Sequence, residues 1–147
     1  MNQEFYVKLR NKLVDVGEQH FNMAHQGLLN LIIDADVILD LNISSGLVFT
    51  EKEWDGLAVT FDNLIIYTKN HFHEEEDFLR QNNYPYTDQH QLEHQAIIEK
   101  LNVNQRYILQ GDEAGLMDIR IWLLEWLFNH VNTMDYAYAQ YFLKNKK

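Results

Sequence analysis

The chain of 147 residues contains no cysteine. That excludes thiolate metal ligands, iron–sulfur clusters, disulfides and a cysteine nucleophile, and it fits a reducing compartment such as the cytoplasm. Proline occurs once and glycine only six times. With so few helix breakers the expected fold class is all-α. No uninterrupted run of about 18 apolar residues exists, so no membrane span is expected. The first residues, Met1 to Arg10, carry no apolar run, and a secretory signal is not expected. Positive charge is also scarce: 12 Lys and Arg stand against 22 Asp and Glu, a net charge of −10 with histidine neutral. Binding to phosphate backbones requires a basic stripe, so nucleic acid is not an expected partner. The length fits a single domain over 1–147, large enough to bury a core without covalent staples.

The apolar residues recur at helical spacing. Phe21, Leu28, Leu29, Ile32 and Ile33 form one stripe on a first helix expected from about Glu4 to Leu41. Gly17 loosens that helix, so its first turns can form a separate N-terminal arm. Asn42 to Thr50 reads as a loop, and Thr50 with Glu53 forms a capping box for a second helix to Gln81. Tyr84-Pro85 breaks the chain, Thr87 or Asp88 caps a third helix to about Leu109, and Gly111 ends it. A fourth helix is expected from about Ala114 to Leu143, with an inner stripe of Ile119, Trp122, Leu123, Trp126, Leu127, His130, Met134, Ala137 and Tyr141. Four long helices joined by short loops predict an up-down-up-down antiparallel bundle.

Histidines sit on those inner stripes. His71 and Glu75 are four apart, hence on one face about one turn apart. His90 and His94 repeat the spacing on the third helix. His25 lies in the first stripe and His130 in the fourth. Taken singly, each has a plain reading as a packed core or surface histidine. Taken together, five inward imidazoles each need a partner, since an unpaired buried polar group costs roughly 1–3 kcal/mol. Two metal ions satisfy all five at once, and imidazole with carboxylate suits iron. The pattern is not that of a zinc protease, because Gln91 rather than Glu follows His90. His73 is expected to point outward, Glu74 is the one neighbour able to compete with Glu75 for the inner position, and Glu76 and Asp77 read as a solvated face.

Four segments then line up in order: His25-Gln-Gly-Leu-Leu-Asn-Leu-Ile, His71-Phe-His-Glu-Glu75-Glu76, His90-Gln-Leu-Glu-His94, and Trp126-Leu-Phe-Asn-His130-Val-Asn-Thr-Met-Asp135. They follow the patterns HxxLLxLI, HFxxEE, HxxxH and WLxxHIxxxD, and the chain resembles a hemerythrin, specifically the single-domain bacterial form. The resemblance implies a non-haem site of two iron ions (Fe2+/Fe3+) bridged by oxo or hydroxo. It implies His90, His94 and His130 on one iron, His25 and His71 on the other, and Glu75 and Asp135 bridging both. It further implies reversible binding of dioxygen at an open iron position, for oxygen storage, delivery or sensing, with no catalytic residue and a monomer or weak homo-oligomer. Asp135 rests on the resemblance, since five residues place it about 140° from His130 on an ideal helix; either the two flank the bundle axis from opposite sides or a π-bulge realigns them. Leu28, Leu29, Phe72, Ile97 and Trp126 are candidates for an apolar pocket wall or plain core packing. The interval from His25 to His71 is long for the family, which points to an insertion between the first two helices, and the usual N-terminal tryptophan is missing, Phe5 and Tyr6 being the nearest aromatics. The competing readings are an enzyme reducing peroxide or nitric oxide at the same site, an iron- or oxygen-responsive regulatory module, and a metal-free helical interaction protein.

Overall fold

The computed structural model describes residues 3–45, 50–112 and 115–145. Its helices are α1 (Gln3–Lys12), α2 (Gln19–Ser45), α3 (Glu51–Gln81), α4 (Thr87–Leu109), α5 (Leu116–His130) and α6 (Tyr136–Lys144), with a π turn over Val131–Asp135 joining the last two. Helix α2 packs on α3, α3 on α4, α4 on α5, and α5 back on α2, closing a four-helix bundle. The fold is all-α, as the spacing of apolar residues requires. No helix among the described residues is long and apolar enough to cross a membrane.

The first expected helix is two helices. Gly17 adopts φ +78, a left-handed conformation that ends the α-helical path, and the chain restarts at Gln19. Asp15 Oδ1 stabilises the bend by accepting from the Gly17 amide at 2.7 Å and from Asn22 Nδ2 at 2.8 Å. Helix α1 is therefore an arm, anchored by buried Tyr6 and Leu9. The Tyr6 hydroxyl donates to Asp36 at 2.8 Å, and Arg120 bridges Asp36 at 2.5 Å and Asp40 at 2.9 Å. This network ties α1, α2 and α5 together at one end of the bundle. Asp36 is 1% exposed, so its charge depends on those donors.

The remaining boundaries follow local chemistry. Helix α2 continues to Ser45, past the expected end at Leu41, so part of the anticipated loop is helical; residues 46–49, where an insertion was expected, lie outside the described residues. The capping box forms, with the Glu53 amide donating to Thr50 Oγ1 and the Thr50 amide to Glu53 Oε1. Helix α3 closes in a Schellman turn around Asn83, φ 57, in which the Tyr84 amide bonds Leu79 O and the Asn83 amide bonds Arg80 O. Gly111, φ 66, does the same for α4. Neither Thr87 nor Asp88 caps α4: Tyr86 holds the cap position without a side-chain bond, because the Thr87 hydroxyl instead donates to Tyr84 O at 2.7 Å and closes the preceding turn. Ala114, the expected start of the last helix, is outside the described residues, and α5 begins at Leu116.

The core is continuous along the bundle, and Leu29, Ile32, Leu57, Phe61, Leu64 and Leu101 are fully buried in it. Burying each such side chain stabilises by about 1.5–3 kcal/mol. Toward the α3–α4 turn this core gives way to imidazoles and carboxylates.

Candidate metal centre

Each rod of the bundle delivers ligand-type side chains to one level. Helix α2 brings His25, α3 brings His71 and Glu75, α4 brings His90 and His94, α5 ends in His130, and the π turn ends in Asp135. All seven are between 0 and 4% exposed. The two pairs spaced four apart share a face, as the helical repeat dictates. The pair five apart is realigned by the π turn: one residue more per turn brings Asp135 Oδ1 within 3.1 Å of His130 Nε2.

Every imidazole turns its Nε2 inward onto the two carboxylates. His90 Nε2 is 3.0 Å from Glu75 Oε1 and 2.8 Å from Asp135 Oδ1. His94 Nε2 is 3.2 Å from Glu75 Oε1 and 3.0 Å from His130 Nε2. On the other side His25 Nε2 is 3.0 Å from Asp135 Oδ2, and His71 Nε2 is 3.4 Å from Glu75 Oε2. The donors fall into two groups, each within 4.8 Å: Glu75, His90, His94, His130 and Asp135 in one, and His25, His71, Glu75 and Asp135 in the other. Glu75 and Asp135 belong to both.

The donor set fits bound metal on two counts. His25 Nε2 and both oxygens of Asp135 are buried yet make no hydrogen bond, a cost that coordination removes. Two donors about 2.1 Å from one ion and at right angles lie ~3.0 Å apart, which is the spacing found here. Nitrogen and carboxylate oxygen together suit a first-row ion such as iron, and seven ligands exceed the needs of one tetrahedral zinc.

The same crowding perturbs protonation in the protein alone. Burial pulls His25 down, but Asp135 and Glu75 outweigh it and lift it to about 9. His130 is likewise lifted to about 10, against burial, chiefly by Asp135. His90 is raised by the same two carboxylates against burial. His71 goes the other way, to about 4, because burial exceeds the pull of Glu75. Burial would raise Glu75, yet the imidazoles of His25, His90 and His94 crowded against it hold it well below the usual carboxylate range. Asp135 is lowered too, the imidazoles prevailing over burial and the charge of Glu75.

Other expectations need correction. Glu76 is not on a solvated face: it is 6% exposed, and its Oε2 lies 2.7 Å from His94 Nδ1. Phe72, four residues before it, stacks on the His94 ring at 3.7 Å, so positions 72 and 76 form a second face of α3 directed at α4. That spacing was present in the sequence beside the 71/75 pair. Glu74 does not compete with Glu75; it is exposed and pairs with exposed His20, and His73 is exposed as expected. Beyond His130 the inner stripe is displaced by one residue. Asp135 and Tyr138 are buried, while Ala137 is exposed and Met134 and Tyr141 are half-buried. The π turn consumes the extra residue, and a constant 3.6 repeat could not register it. Tyr138 was thereby missed: its hydroxyl donates to Glu75 Oε2 at 3.1 Å. Burial and the charges of Glu75 and Asp135 push its own ionisation far up, so it stays a donor. Leu28, Leu29, Phe72, Ile97 and Trp126 are all buried.

Residues 13–142 match the family described as the Hemerythrin HHE cation binding domain. A protein of Stenotrophomonas maltophilia named Bacteriohemerythrin is 33% identical over 90 residues, covering 61% of this chain and 58% of that protein. Proteins of the same name from Pseudomonas paraeruginosa and Pseudomonas aeruginosa are 28% identical over 88 residues, covering 60% of this chain and 57% of each. The matched region thus spans less than two thirds of the length of these curated relatives. No solved structure matches the chain. A match running from residue 13 to 142 takes in all four rods and every one of the converging side chains, and the chain belongs to the hemerythrin family.

Proposed function

We propose that the chain is a cytoplasmic di-iron protein, folded as one domain, that binds dioxygen reversibly for storage, delivery or sensing. The observation that carries this reading is the overlap of the two donor groups in Glu75 and Asp135. Two sets of donors sharing two carboxylates suit two adjacent ions, with Glu75 and Asp135 as bridges. His90, His94 and His130 would complete one ion, and His25 and His71 the other. An ion held by the group with one histidine fewer would have a position open to a small ligand. Iron at these positions would supply electrons that move to dioxygen on binding and return on release.

The protein's own residues supply the surroundings that make reversal feasible. Phe21 lies edge-on to His71 at 5.8 Å, and Leu28 and Leu29, at 1% and 0% exposure, follow His25 by about one turn on α2, so hydrocarbon is available to wall the two-histidine side. A dry wall keeps water and protons from diverting a bound oxidant into side reactions. Surface depressions of about 190 Å³ and about 290 Å³ are lined in part by His25 and by His71. Phe5 and Tyr6, the aromatics nearest the N-terminus, do not reach the centre; Tyr6 is committed to Asp36, about three turns further along α2 than His25.

An anaerobic-to-aerobic optical titration of iron-loaded protein tests the proposal. A visible band that rises with oxygen and disappears on deoxygenation, over repeated cycles, is the expected result. Steady consumption of peroxide or nitric oxide without a reversible band would replace it with the enzymatic reading.

A further inference from the structure

Resting on that reading, we infer that Glu76 is a positioning residue of the centre, which fixes the ring and tautomer of His94 and strengthens it as a donor. The five imidazoles all point Nε2 inward, so each presents Nδ1 to the surrounding helices. The bond made by that second nitrogen decides which nitrogen carries the proton and how strongly the other donates. For His25, His71, His90 and His130 the second nitrogen is buried without a hydrogen-bond partner. The nearest carboxylate to His130 Nδ1 is that of Glu93, at 3.8 Å, beyond hydrogen-bond reach, with a side chain 46% exposed.

His94 differs in both respects that matter. Its Nδ1 lies 2.7 Å from Glu76 Oε2, with side-chain exposures of 2% and 8%. A carboxylate only accepts, so the proton sits on Nδ1 and the Nε2 lone pair faces the carboxylate cluster. The ring plane is held independently by Phe72, parallel to it within 3° at 3.7 Å. Rotation about the ring axis and choice of tautomer are thus both set from α3, the helix that also supplies His71 and Glu75. The two donor groups consequently differ in more than histidine count. The three-histidine group contains one imidazole backed by a buried anion, and the two-histidine group contains none. With iron bound, the stronger donor on that side would favour the higher oxidation state there.

Glu76 forms the floor of a groove between α3 and α4 of about 460 Å³, lined also by Lys69, His73, Gln91 and Gln95. Water from that groove can enter the space left by Glu76→Ala, so Glu76→Leu is the cleaner deletion. Glu76→Gln is the conservative variant, because its amide oxygen still accepts from Nδ1 but carries no charge. Three measurements on the full chain separate this role from plain packing: competition of iron(II) binding against a chelator, the iron midpoint potential, and long-range proton–nitrogen correlations of the zinc-loaded protein, which read the tautomer of each histidine.

For Glu76→Leu the expected result is a loss of roughly 10–100-fold in iron(II) affinity, the range for removing such a partner, and loss of the single Nδ1–H form of His94. Glu76→Gln is expected to keep the tautomer and the melting temperature while the potential rises, which a packing role would not produce. Glu93→Gln, which alters a half-exposed carboxylate beside His130 rather than His94, is expected to leave the His94 tautomer as in the parent. Parental affinity and an unchanged His94 signal in Glu76→Leu would overturn the inference while leaving the metal centre intact. If Glu76→Leu does not fold, an unchanged potential in Glu76→Gln overturns it. Failure of the parent chain itself to bind iron would overturn both this inference and the reading it rests on.

Discussion

Replacing Tyr138 by Phe removes one oxygen atom and one hydrogen bond from a site whose packing is otherwise complete. The ring stays where it is held: its centroid lies 6.5 Å from Phe21, 6.3 Å from Tyr84 and 6.2 Å from Phe142. What disappears is the O–H donated at 3.1 Å to Glu75 Oε2, on a carboxylate that is 0% exposed. A hydrogen bond to a charged acceptor contributes about 1.5–3 kcal/mol, and solvent cannot replace it at this depth. For a domain of this size about 1 kcal/mol moves the melting temperature by roughly 2–4 °C. The metal-free variant is therefore expected to melt some ~3–12 °C lower, with an unchanged slope in urea unfolding. In the iron-loaded protein the loss should be smaller, because coordination shares the charge that Tyr138 otherwise solvates. Circular dichroism melts with and without chelator measure both. A Tyr138→Phe variant as stable as the parent when metal-free would refute the argument, since it would mean the hydroxyl makes no net contribution to holding Glu75.

Four further outcomes follow from the geometry. His130→Ala should lower iron stoichiometry and destabilise the bundle, whereas His71→Ala should preferentially empty the two-histidine side; iron counting after desalting distinguishes them. Iron uptake at neutral pH should release protons, because His25 and His130, lifted to about 9 and about 10, are protonated in the metal-free protein; calorimetry in buffers of different ionisation enthalpy counts them. The stability those two raised groups contribute is complete below their ordinary value of 6.5 and is lost as pH climbs through about 9 to 10. His71, lowered to about 4, acts oppositely: its contribution holds above 6.5 and is lost on acidification toward 4, so the metal-free protein should be most stable near neutrality. Finally, Arg120→Ala strands the buried Asp36 carboxylate; breaking such a pair costs about 3–5 kcal/mol, reduced here because Tyr6 still donates and Arg120 is 18% exposed. Hydrogen exchange in α1 should rise with it.

The parts of the structure readable in the sequence were those set by a constant repeat or by local chemistry. The 71/75 and 90/94 pairs share a face because an α-helix returns every 3.6 residues, and the Thr50 capping box and the Gly111 terminus depend only on neighbouring residues. What escaped was set by departures from the repeat or by distant partners. The π turn shifts the stripe after His130, admitting Tyr138 and turning Ala137 outward, and no composition rule marks where one extra residue will be absorbed. Glu76 looked solvated among its acidic neighbours because its partner, His94, is on another helix. Thr87 looked like a cap, but its hydroxyl closes the turn before it. Asp135, five residues from His130, was placed at the centre by resemblance before geometry explained how it gets there.

The central claim is that seven buried side chains hold two ions between Glu75 and Asp135. Anomalous diffraction at the iron edge, on crystals of protein whose metal content has been counted, tests it most directly. Two iron peaks per chain are predicted, both touching Glu75 and Asp135, one also meeting His90, His94 and His130 and the other His25 and His71. A single peak, or none at that level of the bundle, would contradict the account.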